Sequence, residues 1–131
     1  MILVDSSVWI DYFNGLFNKA TDYLDQALTE QTVLIGDLIL MEVLQGFRSQ
    51  RDFQTARSYL TQLECHVLCS PQLALLGAEN YRFLRRKGVT IRKTVDMIIG
   101  TWCIAYNIPL LHADRDFDPL TTHLSLPVIQ M

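Results

Sequence analysis

Apolar and polar residues alternate along this chain in blocks of two kinds: short, wholly apolar runs and longer stretches with helical spacing. Met1–Val4 is an apolar run of the length expected for a strand covered on both faces, as in a parallel sheet. Ser6 or Ser7 can cap a first helix through Asp11 to Phe13, and a second spans about Lys19 to Thr29 with Ala20, Leu24, Ala27 and Leu28 on its apolar side. Thr32–Ile35 predicts a second strand. From Asp37, a good N-cap, to Phe47 the chain is apolar nearly all round, and a polar helix follows from Asp52 to Leu63. Glu64–Leu68 predicts a third strand. Ser70-Pro71 opens a helix in the favoured cap-then-proline order, running to Lys87 and stopped by Gly88. Thr94 caps an apolar helix to about Tyr106, Pro109–His112 is a strand, Asp114–Leu120 a short turn or helix, and Pro127–Gln130 a last strand.

Strands alternating with helices of ten or more residues predict an α/β fold, a three-layer α/β/α sandwich around a mainly parallel sheet. Neither a linker nor a 20–50-residue repeat interrupts the pattern, so residues 1–131 are expected to form one domain. Composition narrows the class: 50% of residues are hydrophobic, against 6 Gly and 4 Pro, which excludes a disordered or collagen-like chain. Asp5, Asp37, Glu42 and Asp96 break every apolar run short of a membrane span, and Met1–Asp5 lacks the basic start of a signal peptide. A cytoplasmic protein without a membrane partner is expected. The 3 cysteines, Cys65, Cys69 and Cys103, fit a reducing compartment better than a disulfide framework. Cys65-His66-x-x-Cys69 lacks the second ligand pair of a structural zinc site.

The net charge of −3 conceals an asymmetry. Arg82, Arg85, Arg86, Lys87, Arg92 and Lys93 give residues 82–93 a charge of +6, leaving −9 for the rest. That segment is either a solvated helix face or a track for a phosphate backbone, with Arg85, Arg86, Arg92 and Lys93 as candidate contacts.

The acids carry more information. Glu42 lies among Leu38, Ile39, Leu40, Met41, Val43 and Leu44, on a helix with no wholly polar face. A carboxylate there needs a partner, which can be an Arg, a helix end, a window to solvent or a functional site. Asp96 is the only charged residue from Thr94 through Tyr106; it suits either the helix dipole or a site, and Gly100 one turn later would leave space beside it for a ligand. Asp5 and Asp114 follow two predicted strands and so fall at the carboxyl edge of a parallel sheet, where α/β folds bind ligands, although turn or cap roles also suit them. Asp118, before Pro119, reads as a solvated turn residue. If Asp5, Glu42, Asp96 and Asp114 converge, their repulsion demands a cation, and oxygen donors without His or Cys suit a hard ion, Mg²⁺ or alternatively Mn²⁺. Such an ion activates water and stabilises developing charge in phosphodiester hydrolysis.

Four segments carry a family resemblance: MILVDSSVWIDYF at 1–13, GDLILMEVLQG at 36–46, RKGVTIRKTVDMIIG at 86–100 and IPLLHADRDFDPL at 108–120. In this order the chain resembles the PIN-domain ribonucleases of the VapC toxin type. The resemblance implies a Mg²⁺-dependent endoribonuclease specific for single strands. It implies an acidic pocket of Asp5, Glu42, Asp96 and Asp114, with Asp5, Asp96 and Asp114 on the metal, and with Asp116 and Ser6 supporting or orienting substrate. His112 departs from the small polar residue, often Thr, that precedes the D-x-D-F segment in that family. A homodimer and an inhibiting VapB-type antitoxin are also implied. A haloacid-dehalogenase-like phosphatase is disfavoured by Ser7, where its second Asp would stand, and a receiver domain by the lack of its acid pair and late Lys. The alternative from another class is a PIN-like scaffold that binds RNA or protein without cutting.

Overall fold

A computed structural model describes residues 1–131. Four strands, β1 (Ile2–Val4), β2 (Val33–Gly36), β3 (Glu64–His66) and β4 (Leu110–Leu111), form one sheet in the order β3-β2-β1-β4, with every pairing parallel. Six helices connect them, α1 (Ser6–Phe13), α2 (Lys19–Glu30), α3 (Asp37–Gln45), α4 (Gln50–Leu60), α5 (Pro71–Arg86) and α6 (Thr94–Tyr106), and α7 (Asp118–Leu124) follows β4. The architecture is the expected three-layer α/β/α sandwich. β1, β2 and β4 are buried at every position, which is why they read as unbroken apolar runs rather than alternating ones.

The connections place the site. From β1 the chain moves through α1 and α2 to β2 on one side, and it later returns through α6 to β4 on the other. The order therefore reverses between β1 and β4, and such a switch point opens a crevice at the carboxyl ends of the two strands. Asp5 follows β1 directly, and the loop after β4 leads through His112 and Ala113 to Asp114 and a 3₁₀ turn at Arg115–Phe117.

Several local expectations are corrected. Asp5, not Ser6 or Ser7, caps α1: its carboxylate accepts from the Ser7 amide. Asp37 is the first residue of α3 rather than its cap, a position held by Gly36, and α6 is capped by Lys93 without a side-chain bond, so Thr94 lies inside it. Ser49 caps α4, which starts at Gln50, two residues before Asp52. β3 stops at His66; Val67 turns outward at 69% exposure while Leu68 plugs the core. Pro127–Gln130 contributes only a parallel bridge between Val128 and Leu110 instead of a strand, because Pro127 has no amide to extend the ladder.

Gly100 also has a different role from the one expected. A Cβ there would overlap Leu120 Cδ2, so the missing side chain lets α7 pack against α6 rather than opening space for a ligand. The core joins the sheet to Trp9, Leu24, Ile39, Leu60, Leu84, Ile99 and Phe117. No helix is long and apolar enough to cross a membrane.

Candidate active site

Asp5 is held at the end of β1 by its neighbours in the first turn of α1. Its Oδ2 accepts from the Ser7 amide at 3.1 Å and from Ser7 Oγ at 2.6 Å, and the same hydroxyl accepts from the Ala113 amide at 3.1 Å. Ser7 thus ties the exit of β1 to the loop after β4 and fixes the Asp5 carboxylate between them. Asp5 is 3% exposed, and burial, against these hydrogen bonds, raises its pKa.

Asp96 enters from the first turn of α6. It is 5% exposed, and its Oδ2 is a buried oxygen with no hydrogen-bond partner. Burial pushes its pKa up to about 6; the charges of Asp5, Asp114 and Asp116 add to the rise, and Lys93 opposes it. Asp114 caps the 3₁₀ turn, its Oδ1 accepting from the Asp116 amide at 2.9 Å. Burial works against ionisation here too, but the Asp116 amide and the Lys93 ammonium together hold the Asp114 carboxyl below its ordinary value. Donor oxygens of Asp96, Asp114 and Asp116 lie within 4.8 Å of one another.

Glu42 reaches the same side from α3. No Arg partners it, so the ion-pair explanation for an acid on an apolar helix fails; its Oε1 instead accepts from Ser6 Oγ at 3.3 Å. Burial and then the Asp5 charge raise its pKa. Asp5, Glu42 and Asp96 are thus electrostatically coupled. The sequence reading singled out Ser6 for its position after Asp5; in the structure Ser6 serves Glu42 and Ser7 serves Asp5.

The basic segment divides into two. Arg85 lies 5.8 Å over the Tyr81 ring, and Arg86 and Lys87 lie 6.0 and 5.4 Å over Phe83, all on the outside of α5 and its end. Arg92 and Lys93 instead turn to the acids: Arg92 Nη2 is 3.4 Å from both Asp116 oxygens, and Lys93 Nζ is 3.4 Å from Asp114 Oδ2 and 4.0 Å from Asp96 Oδ2. His112 accepts the Asp114 amide on Nδ1 at 3.2 Å and leans on Phe117 at 4.9 Å between ring centroids, so it supports the loop that carries Asp114.

Two residues escaped the sequence reading, Ser7 and the inward role of Lys93. A hydroxyl two positions after a strand-end Asp can bond back to that Asp, and this was the available signal for Ser7. Lys93 had none, because nothing in the chain says that the loop after β4 comes to meet it.

The donor set is chemically one kind: hard carboxylate oxygens, with no His or Cys among them. A buried carboxylate oxygen without a donor, facing three further acids, is costly unless a cation joins it. The residues therefore fit a hard divalent ion.

Comparison with known proteins agrees with the fold. The chain is 29% identical over 120 residues, 90% of each chain, to the VapC ribonuclease Mb1587 of Mycobacterium bovis and to the ribonuclease VapC11 of Mycobacterium tuberculosis. Its fold matches a chain in the crystal structure of VapBC2 from Rickettsia felis bound to a promoter DNA fragment, with a TM-score of 0.77 at 19% identity, covering 100% of this chain and 99% of that one. The profile of the PIN domain matches residues 2–121, so this chain belongs to the PIN-domain family.

Proposed function

We propose that the protein is a Mg²⁺-dependent endoribonuclease that hydrolyses phosphodiester bonds in single-stranded RNA and acts as the toxin of a toxin–antitoxin pair. In this reading residues 1–131 work as one domain, Asp5, Asp96 and Asp114 hold the ion, with Mn²⁺ as a substitute, and Asp116 supports them from the rim. The observation that carries it is the orphaned Oδ2 of Asp96, whose burial, with the surrounding acids adding to it, raises its pKa to about 6. The names of the curated relatives supply the ribonuclease activity. By analogy with the VapBC2 complex the partner is a VapB-type antitoxin; the family resemblance adds a second copy of the chain, and the sparse cysteines fit a cytoplasmic setting.

The chain's own groups divide the work. The ion would neutralise phosphate charge and lower the pKa of a bound water. Ser7 holds Asp5 from one side, so that a single carboxylate geometry is presented without reorganisation. Glu42, with Ser6 fixing Oε1 and a raised pKa, is suited to accept the proton of the attacking water on its other oxygen, Oε2. Arg85 and Arg86 on the exposed side of α5 are available to RNA phosphates.

The test is cleavage of a single-stranded RNA by the purified protein with Mg²⁺, with EDTA, and with Asp96→Asn. Cleavage in the first case alone is expected. RNA binding without any Mg²⁺-dependent cleavage would instead establish the non-catalytic scaffold.

A further inference from the structure

The carboxylate cluster faces two cations belonging to the chain itself, and their position is unexpected. Arg92 and Lys93 stand immediately before α6, at a helix N-terminus, where the dipole disfavours positive charge. Lys93 is the N-cap residue, with extended backbone angles (φ −114, ψ 119), and its side chain makes no capping hydrogen bond to the helix amides. Its ammonium lies against Asp114 Oδ2 and Asp96 Oδ2, and the second is the buried oxygen that has no hydrogen-bond partner. These are two of the oxygens a metal ion in the cluster would use. The Lys93 side chain remains 56% exposed, so its four-carbon stem can swing away without disturbing the core. Arg92 makes the matching contact at the rim on Asp116, where its side chain is 79% exposed and adds little.

We infer that Lys93 is a tethered counter-ion that holds the cation position of the acidic cluster and leaves it when a divalent ion enters. The inference rests on the proposed reading that this cluster binds such an ion. It assigns Lys93 a function that the metal set alone does not contain. One positive charge relieves the repulsion among Asp96, Asp114 and Asp116 while the ion is away, and it raises the threshold for entry. A monovalent ion offers the carboxylates no more charge than the ammonium already does, whereas a divalent ion offers twice as much. Lys93 thereby biases the site toward divalent ions and weakens their apparent affinity.

The experiment is calorimetric titration of Mn²⁺ into the metal-free full-length protein at low salt, comparing wild type, Lys93→Met, Lys93→Arg and Asp96→Asn. Two partly exposed ion pairs correspond to an expected tightening of about tenfold for Lys93→Met. Lys93→Arg should stay within about threefold of wild type, since charge and reach are kept. In parallel, Mg²⁺ should shift the Lys93 side-chain NMR signals of wild type and leave those of Asp96→Asn in place. Equal or weaker Mn²⁺ binding by Lys93→Met, with binding still dependent on Asp96, overturns the counter-ion role alone. Absence of binding by both wild type and Lys93→Met overturns the metal reading as well.

Discussion

Asp5 and Asp37 both follow a buried parallel strand and open a helix at the carboxyl edge of the sheet, yet their surroundings differ. Asp37, after β2, is closed on the backbone: its Oδ1 accepts from the Leu38 amide at 2.9 Å and from the Leu68 amide at 3.1 Å, which pins the chain leaving β3. Asp5, after β1, is also clasped, by Ser7, but it is coupled to the charges of Glu42 and Asp96. The difference comes from topology. On the β2 side the sheet order runs on without reversal, and an amide arrives to satisfy the acid. On the β1 side the order reverses toward β4, and what arrives is a set of further acids. A strand-end Asp is thus structural where the fold delivers donors to it, and a candidate ligand where the fold delivers its own kind.

Substitution at these positions should separate the two roles. Asp96→Asn or Asp5→Asn should reduce RNA cleavage by about 100-fold or more, because removing a charge from the cluster weakens ion binding and transition-state stabilisation together. The metal-free melting temperature should hold or rise in the same variants, since repulsion falls. Wild-type cleavage by a folded Asp96→Asn protein would remove Asp96 from the site.

Ser7→Ala tests the clasp on Asp5. It removes a 2.6 Å hydrogen bond and leaves the Ala113 amide without its acceptor, so a loss of about tenfold in cleavage with little loss of secondary structure is expected. Kinetics beside circular dichroism would check it. Ser6→Ala, which frees only Glu42 Oε1, should do less.

Asp37→Ala is the structural counterpart. It should cost about 1–3 kcal/mol of stability by orphaning two amides, measured by urea unfolding, and leave cleavage by the folded fraction within about twofold. A cleavage defect as large as that of Asp96→Asn would erase the distinction between the two ends of the sheet.

The smallest effect should be the pH dependence of the metal-free protein. Asp96 titrates near about 6 in the fold, above its ordinary 3.8, so between those values the native state holds a proton that the unfolded chain has released. Its contribution is favourable at low pH and is lost as pH rises toward about 6, with Asp5 and Glu42 acting in the same direction. Thermal melts should show this fall between pH 4 and about 6 in the wild type, and Asp96→Asn should flatten it.

How much of this was legible in the sequence follows the range of the interactions involved. β1 and β2 were readable because burial on both faces leaves only apolar residues, and α2 because Ala20, Leu24 and Ala27 recur at helical spacing. Caps were displaced by one residue at α1, α3 and α6. At α3 and α6 an Asp or Lys just inside or outside the helix takes part in longer-range contacts that outrank local preference, and at α1 Asp5 takes the cap by bonding locally to the Ser7 amide. Gly100 was misread because its close neighbour, Leu120, is twenty positions away. The acids stood out as charges on apolar elements, and the structure brings Asp96, Asp114 and Asp116 together and couples Asp5 and Glu42 to them. Pairing within the site was only partly legible: Ser7 stands two positions from Asp5 and can bond back to it, whereas Lys93 on Asp114 depends on the approach of the loop after β4.

The most direct measurement is a crystal structure of the protein soaked in Mn²⁺, read through anomalous scattering. The expected result is an ion coordinated by Asp96 Oδ2, at an ordinary Mn–oxygen distance of about 2.2 Å, with Asp5 and Asp114 as co-ligands and the Lys93 ammonium moved off Asp114. An ion seated only at Asp37 or at exposed acids, with Lys93 still on Asp114 and Asp96 Oδ2 still bare, would contradict it.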